Sequence, residues 1–267
     1  MSELLSETKM LIDGLGLKEL DKNSQNFLTD ESIIESEIEN AELVGTDVVL
    51  DIGTGFGYGI NKIASICRII CVEKDVKIFS YLINKYELNG NVELINSDFL
   101  TLVPPAFTKV ISNPPYSIVD RVLNKLLRYK FELGVMILPK TISDGLCGLS
   151  GSKRTKFSAV QRIFLDFNPI MQIPNTAFYP QPRVTSTMVK IKRKPNDFLQ
   201  EVMKRDEMTV KNSILRAYQD LKNKTKRESK EILDPMEEAL ADIKNKEVKK
   251  LSLQELDQLT EYIRKNI

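Results

Sequence analysis

Residues 47–57 read DVVLDIGTGFG. A run of Val, Leu and Ile breaks off into glycines at 53, 55 and 57, with another at 59. The pattern predicts a buried β-strand ending in a tight turn, because glycine adopts backbone conformations closed to other residues and lets a ligand approach closely. It does not fit the dinucleotide fingerprint G-x-G-x-x-G: counted from Gly53 the third glycine falls on Tyr58, and from Gly55 on Ile60.

The same rhythm continues downstream. RIICVE (68–73), VELINSD (92–98) and KVISN (109–113) are short runs rich in Val and Ile that end in a small or polar residue. Between them, YGINKIASI and KIFSYLINKYEL carry helical spacing. Strands alternating with helices predict an α/β fold, a parallel sheet with helices on both faces. Ligands in such sheets bind at the carboxyl ends of the strands. There Glu73 is placed to accept ribose hydroxyls and Asp98 to accept the exocyclic amine of an adenine. Each acid also suits capping of the following helix. Glycine turn and two acids together describe an adenosine ligand without a pyrophosphate.

The fourth run leads into SNPPYS (112–117). Proline fixes its own φ and supplies no backbone donor, so this stretch is a rigid loop at a strand end, aiming Asn113 and Tyr116 outward.

Composition narrows the chemistry. The 267 residues allow one large domain or about two; 42% are hydrophobic and 28% charged, as in a soluble globular protein. No apolar run approaches the ~20 residues of a membrane span, and MSELLSETKM lacks the basic flank and apolar stretch of a secretory signal, so a cytoplasmic location is expected. There is no histidine, and the three cysteines are too few for a disulfide framework. The chemistry must therefore run without the commonest general base and metal ligand, and no metal is expected. Cys67 and Cys71, within ICRIICV, read as small buried side chains.

Net charge is +1, but residues 1–51 hold 13 acidic and 3 basic side chains, whereas residues 134–195 hold 10 basic and 2 acidic. The split points to a polyanionic partner for the later region, or to a solvated charged face. After Pro195 the chain reads as helices, with 9 basic and 4 acidic residues in 204–230 and Pro235 as an interruption. A boundary is expected there: a catalytic domain over 1–195 and a small helical RNA-binding domain over 196–267.

The order D-I-G-T-G-F-G, V-E-K-D, S-D-F-L, N-P-P-Y resembles the class I S-adenosylmethionine methyltransferases. N-P-P-Y is similar to the motif of enzymes that methylate an exocyclic or amide nitrogen, chiefly N6 of adenine. Ser24-Gln25-Asn26-Phe27-Leu28 and the stretch IPNTAFYPQPRV (173–184) narrow the likeness to the ribosomal RNA adenine N6-dimethyltransferases, the family of KsgA and the erythromycin-resistance methylases. GSKRTKFSAVQ (151–161) and TVKNSI (209–214) resemble further segments of that family. The likeness covers about residues 25–263.

What the resemblance implies is concrete: a Rossmann-like methyltransferase sheet with a small C-terminal helical domain, taking S-adenosylmethionine as cofactor. Gln25, Asn26, Leu28, Asp51, Gly53, Gly55, Glu73, Lys74, Asp98, Phe99 and Asn113 are then the cofactor-binding residues. Asn113 and the Pro114 carbonyl accept the N6 hydrogens of the target adenine, and Tyr116 and Phe178 sandwich its ring. Lys153, Arg154, Lys156 and Arg183 contact RNA. The expected function is N6-methylation of adenosine in ribosomal RNA, of the small subunit during ribosome maturation, by a monomer. An adenine methylase of another RNA or of DNA, or a catalytically silent ribosome-assembly factor, are the alternatives. Pro114 stands where dimethylating members carry Leu or Ile, which leaves open whether one methyl or two are added. Thr155-Lys156-Phe157 replaces the family's Y-G-R-L, and the acidic N-terminal segment replaces a short basic start.

Overall fold

The computed structural model describes residues 3–17, 25–86, 89–222, 236 and 238–267. Ser24, Pro235 and part of the basic stretch 204–230 lie outside the described residues. The chain divides into two compact units, Met1–Lys153 with Leu165–Arg193, and Arg154–Phe164 with Lys194–Ile267. Arg193 lies two residues before the boundary expected from sequence, and the segment Arg154–Phe164 is assigned to the C-terminal unit.

The first unit is built on a seven-stranded sheet. The runs read from sequence form β2 (Val48–Ile52), β3 (Arg68–Glu73), β4 (Val92–Asn96) and β5 (Lys109–Ser112), followed by β6 (Leu133–Pro139). β3 beyond its first residue, β5 and β6 are buried throughout. That is what a parallel sheet covered on both faces demands, and why these strands read as continuous apolar runs instead of alternating ones. The strand order is β4-β3-β2-β5-β6-β9-β7, with β7 at Leu165–Ile173 and β9 at Ser186–Arg193. β9 runs antiparallel to both neighbours. Order reverses between β2 and β5, so the connections that leave their carboxyl ends run to opposite sides of the sheet and open a crevice.

Helices α1 (Glu3–Gly14), α2 (Glu31–Asn40), α3 (Ile60–Ala64), α4 (Val76–Tyr86), α5 (Val119–Leu126) and α6 (Lys140–Cys147) flank the sheet. Asp30 caps α2 by accepting from the Ser32 and Ile33 amides. Cys67 and Cys71 are buried.

A two-stranded sheet stands apart from the main one. β1 (Phe27–Leu28) pairs antiparallel with β8 (Phe178–Tyr179), Phe27 opposite Tyr179 and Leu28 opposite Phe178. The Thr29 amide extends the pairing by donating to the Ala177 carbonyl at 2.8 Å.

The second unit contains α7 (Lys156–Phe164), α8 (Phe198–Met203), α9 (Val210–Lys222) and α10 (Leu253–Asn266). α10 starts where SLQE permits a capping box: the Glu255 amide donates to Ser252 Oγ, and the Ser252 amide donates to Glu255 Oε2 at 2.8 Å. Among the described residues no helix is long and apolar enough to cross a membrane.

Candidate active site

A cleft of about 630 Å³ opens at the carboxyl edge of β2, β3, β4 and β5, within the first unit. Gln25, Asn26, Leu28, Asp51, Gly53, Gly55, Glu73, Lys74, Asp98, Phe99, Asn113, Pro114 and Tyr116 line it.

The glycine turn forms its floor. Gly53 and Gly55 sit at φ 74° and 59°, the left-handed region that side-chain-bearing residues rarely occupy. A Cβ at Gly53 would lie 3.2 Å from Pro115 Cδ, and one at Gly55 3.2 Å from a Phe27 ring carbon. Bare backbone is thus required where the turn meets the NPPY loop and β1.

Two acids line the adjacent strand ends. Glu73 is buried; its Oε2 accepts from the Gly55 amide at 3.0 Å and its Oε1 from the Asp75 amide at 2.8 Å. Burial pushes its carboxyl up, against the pull of those two amides. A carboxylate offers about four lone-pair sites, so acceptor capacity remains for ribose hydroxyls. Asp98 Oδ1 accepts from the Leu100 amide at 2.9 Å and Oδ2 from Lys74 Nζ at 2.9 Å, and the Lys74 ammonium holds its carboxyl below the usual range. Neither acid is a helix cap: Asp75 caps α4 by accepting from the Lys77 and Ile78 amides, and Asp98 is followed by a turn. Glu73 and Asp98 instead order the adjoining backbone and keep open lone pairs. Behind Asp98, Lys125 donates to the Phe99 and Leu102 carbonyls, with its ammonium 4.8 Å from the centre of the Phe99 ring.

Asn113 follows β5. Its Nδ2 donates to the Asn26 carbonyl at 3.2 Å, and a carbonyl oxygen can only accept, so this bond fixes which way the amide points. Asn113 Oδ1 is left buried without a hydrogen-bond partner. The preceding Ser112 hydroxyl anchors the loop on the Ile52 carbonyl at 2.7 Å. Tyr116 is held by its hydroxyl, 2.5 Å from Ser186 Oγ on β9, and burial raises its phenol pKa.

One expectation needs correction. Tyr116 and Phe178 do not form facing walls: their rings meet edge to face, 6.5 Å between centroids at 79°. A stacked base needs parallel faces about 7 Å apart, twice an optimal carbon contact of ~3.5 Å. Phe178 is 1% exposed, does not line the cleft, and is covered where β8 pairs with β1. Its ring supports Tyr116 from the side. The expected RNA contacts divide. Lys153 and Arg183 are exposed. Arg154, however, makes a bidentate pair with Asp257, both bonds at 2.5 Å, and Lys156 Nζ donates to the Lys249 carbonyl at 2.6 Å. Both contacts lie at the surface within the second unit, reaching α10 and the turn before it. Other members of the basic region are likewise engaged internally: Lys190 with Glu42, and Arg193 with the Leu127 and Tyr129 carbonyls.

Two acids at the β2–β5 end of the cleft complete the site. Asp51, whose carboxyl is pushed up to about 7 by burial, with the Glu73 charge adding to the rise, was legible in the sequence. Glu37 on α2 was not read: it lines the cleft, is 6% exposed, and its Oε1 has no partner. The available signal was an acid inside the apolar stripe Ile33, Ile34, Glu37, Ala41. Among the described residues no group of three or more His, Cys, Asp or Glu is placed to hold a metal.

Residues 17–265 match the family model described as ribosomal RNA adenine dimethylase. The chain is 29% identical over 272 residues to the protein of Thermococcus sibiricus named "Probable ribosomal RNA small subunit methyltransferase A", covering 98% of each. It is 30% identical over 255 residues to the protein of the same name from Pyrococcus furiosus, covering 91% of this chain and 92% of the relative. A dimethyladenosine transferase crystal structure from Plasmodium falciparum shares the fold, with a TM-score of 0.61 at 22% identity over 90% of this chain and 98% of that one.

Proposed function

The chain belongs to the ribosomal RNA adenine dimethylase family and is a ribosomal RNA adenine methyltransferase, and we propose that it modifies N6 of adenosine in small-subunit RNA, using the cleft at the β2–β5 edge. Family and fold imply S-adenosylmethionine, which supplies an electrophilic methyl on a sulfonium. The residues present fit an adenosine-bearing group: a bare-backbone glycine turn, Glu73 with open lone pairs for a ribose, Asp98 for an adenine amine, and buried acceptors without protein partners.

The unpartnered Asn113 Oδ1 carries the reading. An aryl amine is a poor nucleophile because its lone pair is delocalised into the ring. Asn113 Oδ1 and the Pro114 carbonyl each accept one N6 hydrogen, which draws the nitrogen toward tetrahedral and frees its lone pair. Asn26 holds the Asn113 amide in that orientation through the opposite end of the same group. Tyr116, fixed by Ser186, supplies a face for the extruded base, a contact worth ~1 to 3 kcal/mol. Positioning and exclusion of water do the rest, so the missing histidine is no obstacle. RNA affinity comes from exposed cations, Lys153 and Arg183 among them.

The test is methyl transfer to small-subunit particles that lack the modification, read by mass spectrometry of the RNA nucleosides. Wild-type protein should produce N6-methylated adenosine, and Asn113→Ala should do so roughly a hundredfold or more slowly while still binding S-adenosylhomocysteine. Transfer by Asn113→Ala at the wild-type rate would overturn the assignment, and modification of large-subunit RNA alone would overturn the choice of substrate.

A further inference from the structure

Glu37 is the one acid of α2 that is buried. Glu31 and Glu35 face outward and share Lys62, at 3.1 and 2.5 Å, whereas Glu37 packs inward beside Ile33 and Ile34. A carboxyl buried with an unpaired oxygen costs the fold stability. A position in an apolar stripe would be filled more stably by Ile or Leu. Such a residue calls for a ligand.

Its surroundings indicate which. Burial and the neighbouring Asp51 carboxylate dominate the environment of Glu37, with the Ser112 backbone as the opposing favourable contact. Asp51 is on β2 and Ser112 ends β5, so Glu37 lies at the point where strand order reverses. Along the carboxyl edge, Asp98 follows β4 and Glu73 ends β3. If those acids take adenine and ribose, as proposed above, the β2–β5 end is left for what an S-adenosyl group carries beyond its ribose. That is an amino-acid tail with one ammonium and one carboxylate. Two acids in a low-dielectric corner repel each other and repel a carboxylate, but a cation between them relieves both.

We propose that Glu37, together with Asp51, forms the subsite for the ammonium group of the cofactor's amino-acid tail, and that Glu37 makes the protein select ligands that carry that tail. The inference rests on the reading of the cleft as an S-adenosylmethionine site and adds a residue to it. Glu37 acts in binding and specificity, with no part in the transfer of protons at the target base.

Calorimetry with two ligands separates this from a structural role. S-adenosylhomocysteine has the amino-acid tail; 5′-methylthioadenosine has the same adenosine and sulfur without it. Glu37→Gln should weaken S-adenosylhomocysteine about tenfold or more, the usual size of a charge-assisted hydrogen bond, and leave 5′-methylthioadenosine within about twofold. Glu37→Ile should show the same selective loss while raising the melting temperature. Equal losses for both ligands, no loss for either, or a lowered melting temperature for Glu37→Ile would overturn the role of Glu37 alone. Failure of the wild-type protein to bind either ligand would remove the cofactor reading and this inference together.

Discussion

The two halves of the cleft differ in how their polar groups are satisfied. On the β3–β4 side, Glu73 accepts two backbone amides and Asp98 accepts one amide and an ammonium. On the β2–β5 side, Glu37 Oε1 and Asn113 Oδ1 are buried with no partner, and the Asp51 carboxyl is pushed up to about 7. Buried polar atoms are nearly always paired in folded proteins, and each exception calls for an explanation. The first half is a finished platform whose loops are held by the same acids that face the ligand. The second half is unfinished, and its groups are completed only by what binds. Removing a group from the platform should therefore cost structure and binding together, whereas removing one from the other half should cost function and spare the fold.

The largest effect expected from that contrast is at Asn113. Asn113→Ala should lower the transfer rate by roughly a hundredfold to a thousandfold, the range seen when a group that meets the reacting atoms is removed. Its melting temperature should stay within a few degrees of wild type, because loss of the bond to the Asn26 carbonyl is offset by removal of a buried unpaired oxygen; a fall of many degrees would place Asn113 among the structural groups. Asp98→Ala comes next. It should weaken S-adenosylhomocysteine about tenfold to a hundredfold and also lower the melting temperature, because the Leu100 amide and Lys74 lose their acceptor. Weaker binding with an unchanged melting curve would break the distinction between the halves.

Asp51 gives a pH signature. In the unfolded chain it ionises near 3.8, while in the folded protein it holds its proton to about 7. Between those values the folded state binds more protons, so this group's contribution to stability falls as pH rises through the window and levels off above it. Asp51→Asn should leave the melting temperature near wild type at pH 4 and raise it by a few degrees at pH 7.5. A variant less stable at the higher pH would show that the ionised carboxylate is stabilised after all.

The same distinction extends to the basic surface. Lys153→Glu and Arg183→Glu should weaken RNA binding and flatten the dependence of log K on log salt by about one unit for each phosphate that is no longer neutralised. Arg154→Ala and Lys156→Ala should leave that slope near wild type, since their charges are directed at Asp257 and Lys249. An equal weakening from all four would mean the internal pairs open for RNA. The smallest effect is expected at Pro114. A monomethylated N6 has a single hydrogen to present and must shift to do so, and a rigid proline resists that shift. Pro114→Leu should raise the ratio of dimethyl- to monomethyladenosine in a timed reaction; an unchanged ratio would discard the argument from rigidity.

Much of this site could be read from the chain alone because its parts are local. A strand that is apolar throughout and ends in glycine or an acid specifies both its own conformation and the side chain at its tip. Parallel strands bring such tips to one edge whatever their order, so Gly53, Glu73, Asp98 and Asn113 could be read from the strand ends, and Asp51 from the family resemblance, as residues that line the cleft. Hydrogen-bond satisfaction was not, because it depends on segments far apart in sequence. Phe27–Leu28 pair with Phe178–Tyr179 across about 150 residues, and that pairing, invisible to spacing or periodicity, covers Phe178 and turns it edge-on to Tyr116. Arg154 finds Asp257 at a separation of 103 residues, which engages an expected RNA contact in a pair within the second unit. Glu37 lay in plain sight as a break in an apolar stripe, but only packing of α2 against the β2–β5 crevice makes it a buried acid without a partner. Local sequence sets backbone conformation and which residue stands at each strand end. The desolvation and pairing that decide what each side chain can do are set by long-range contacts.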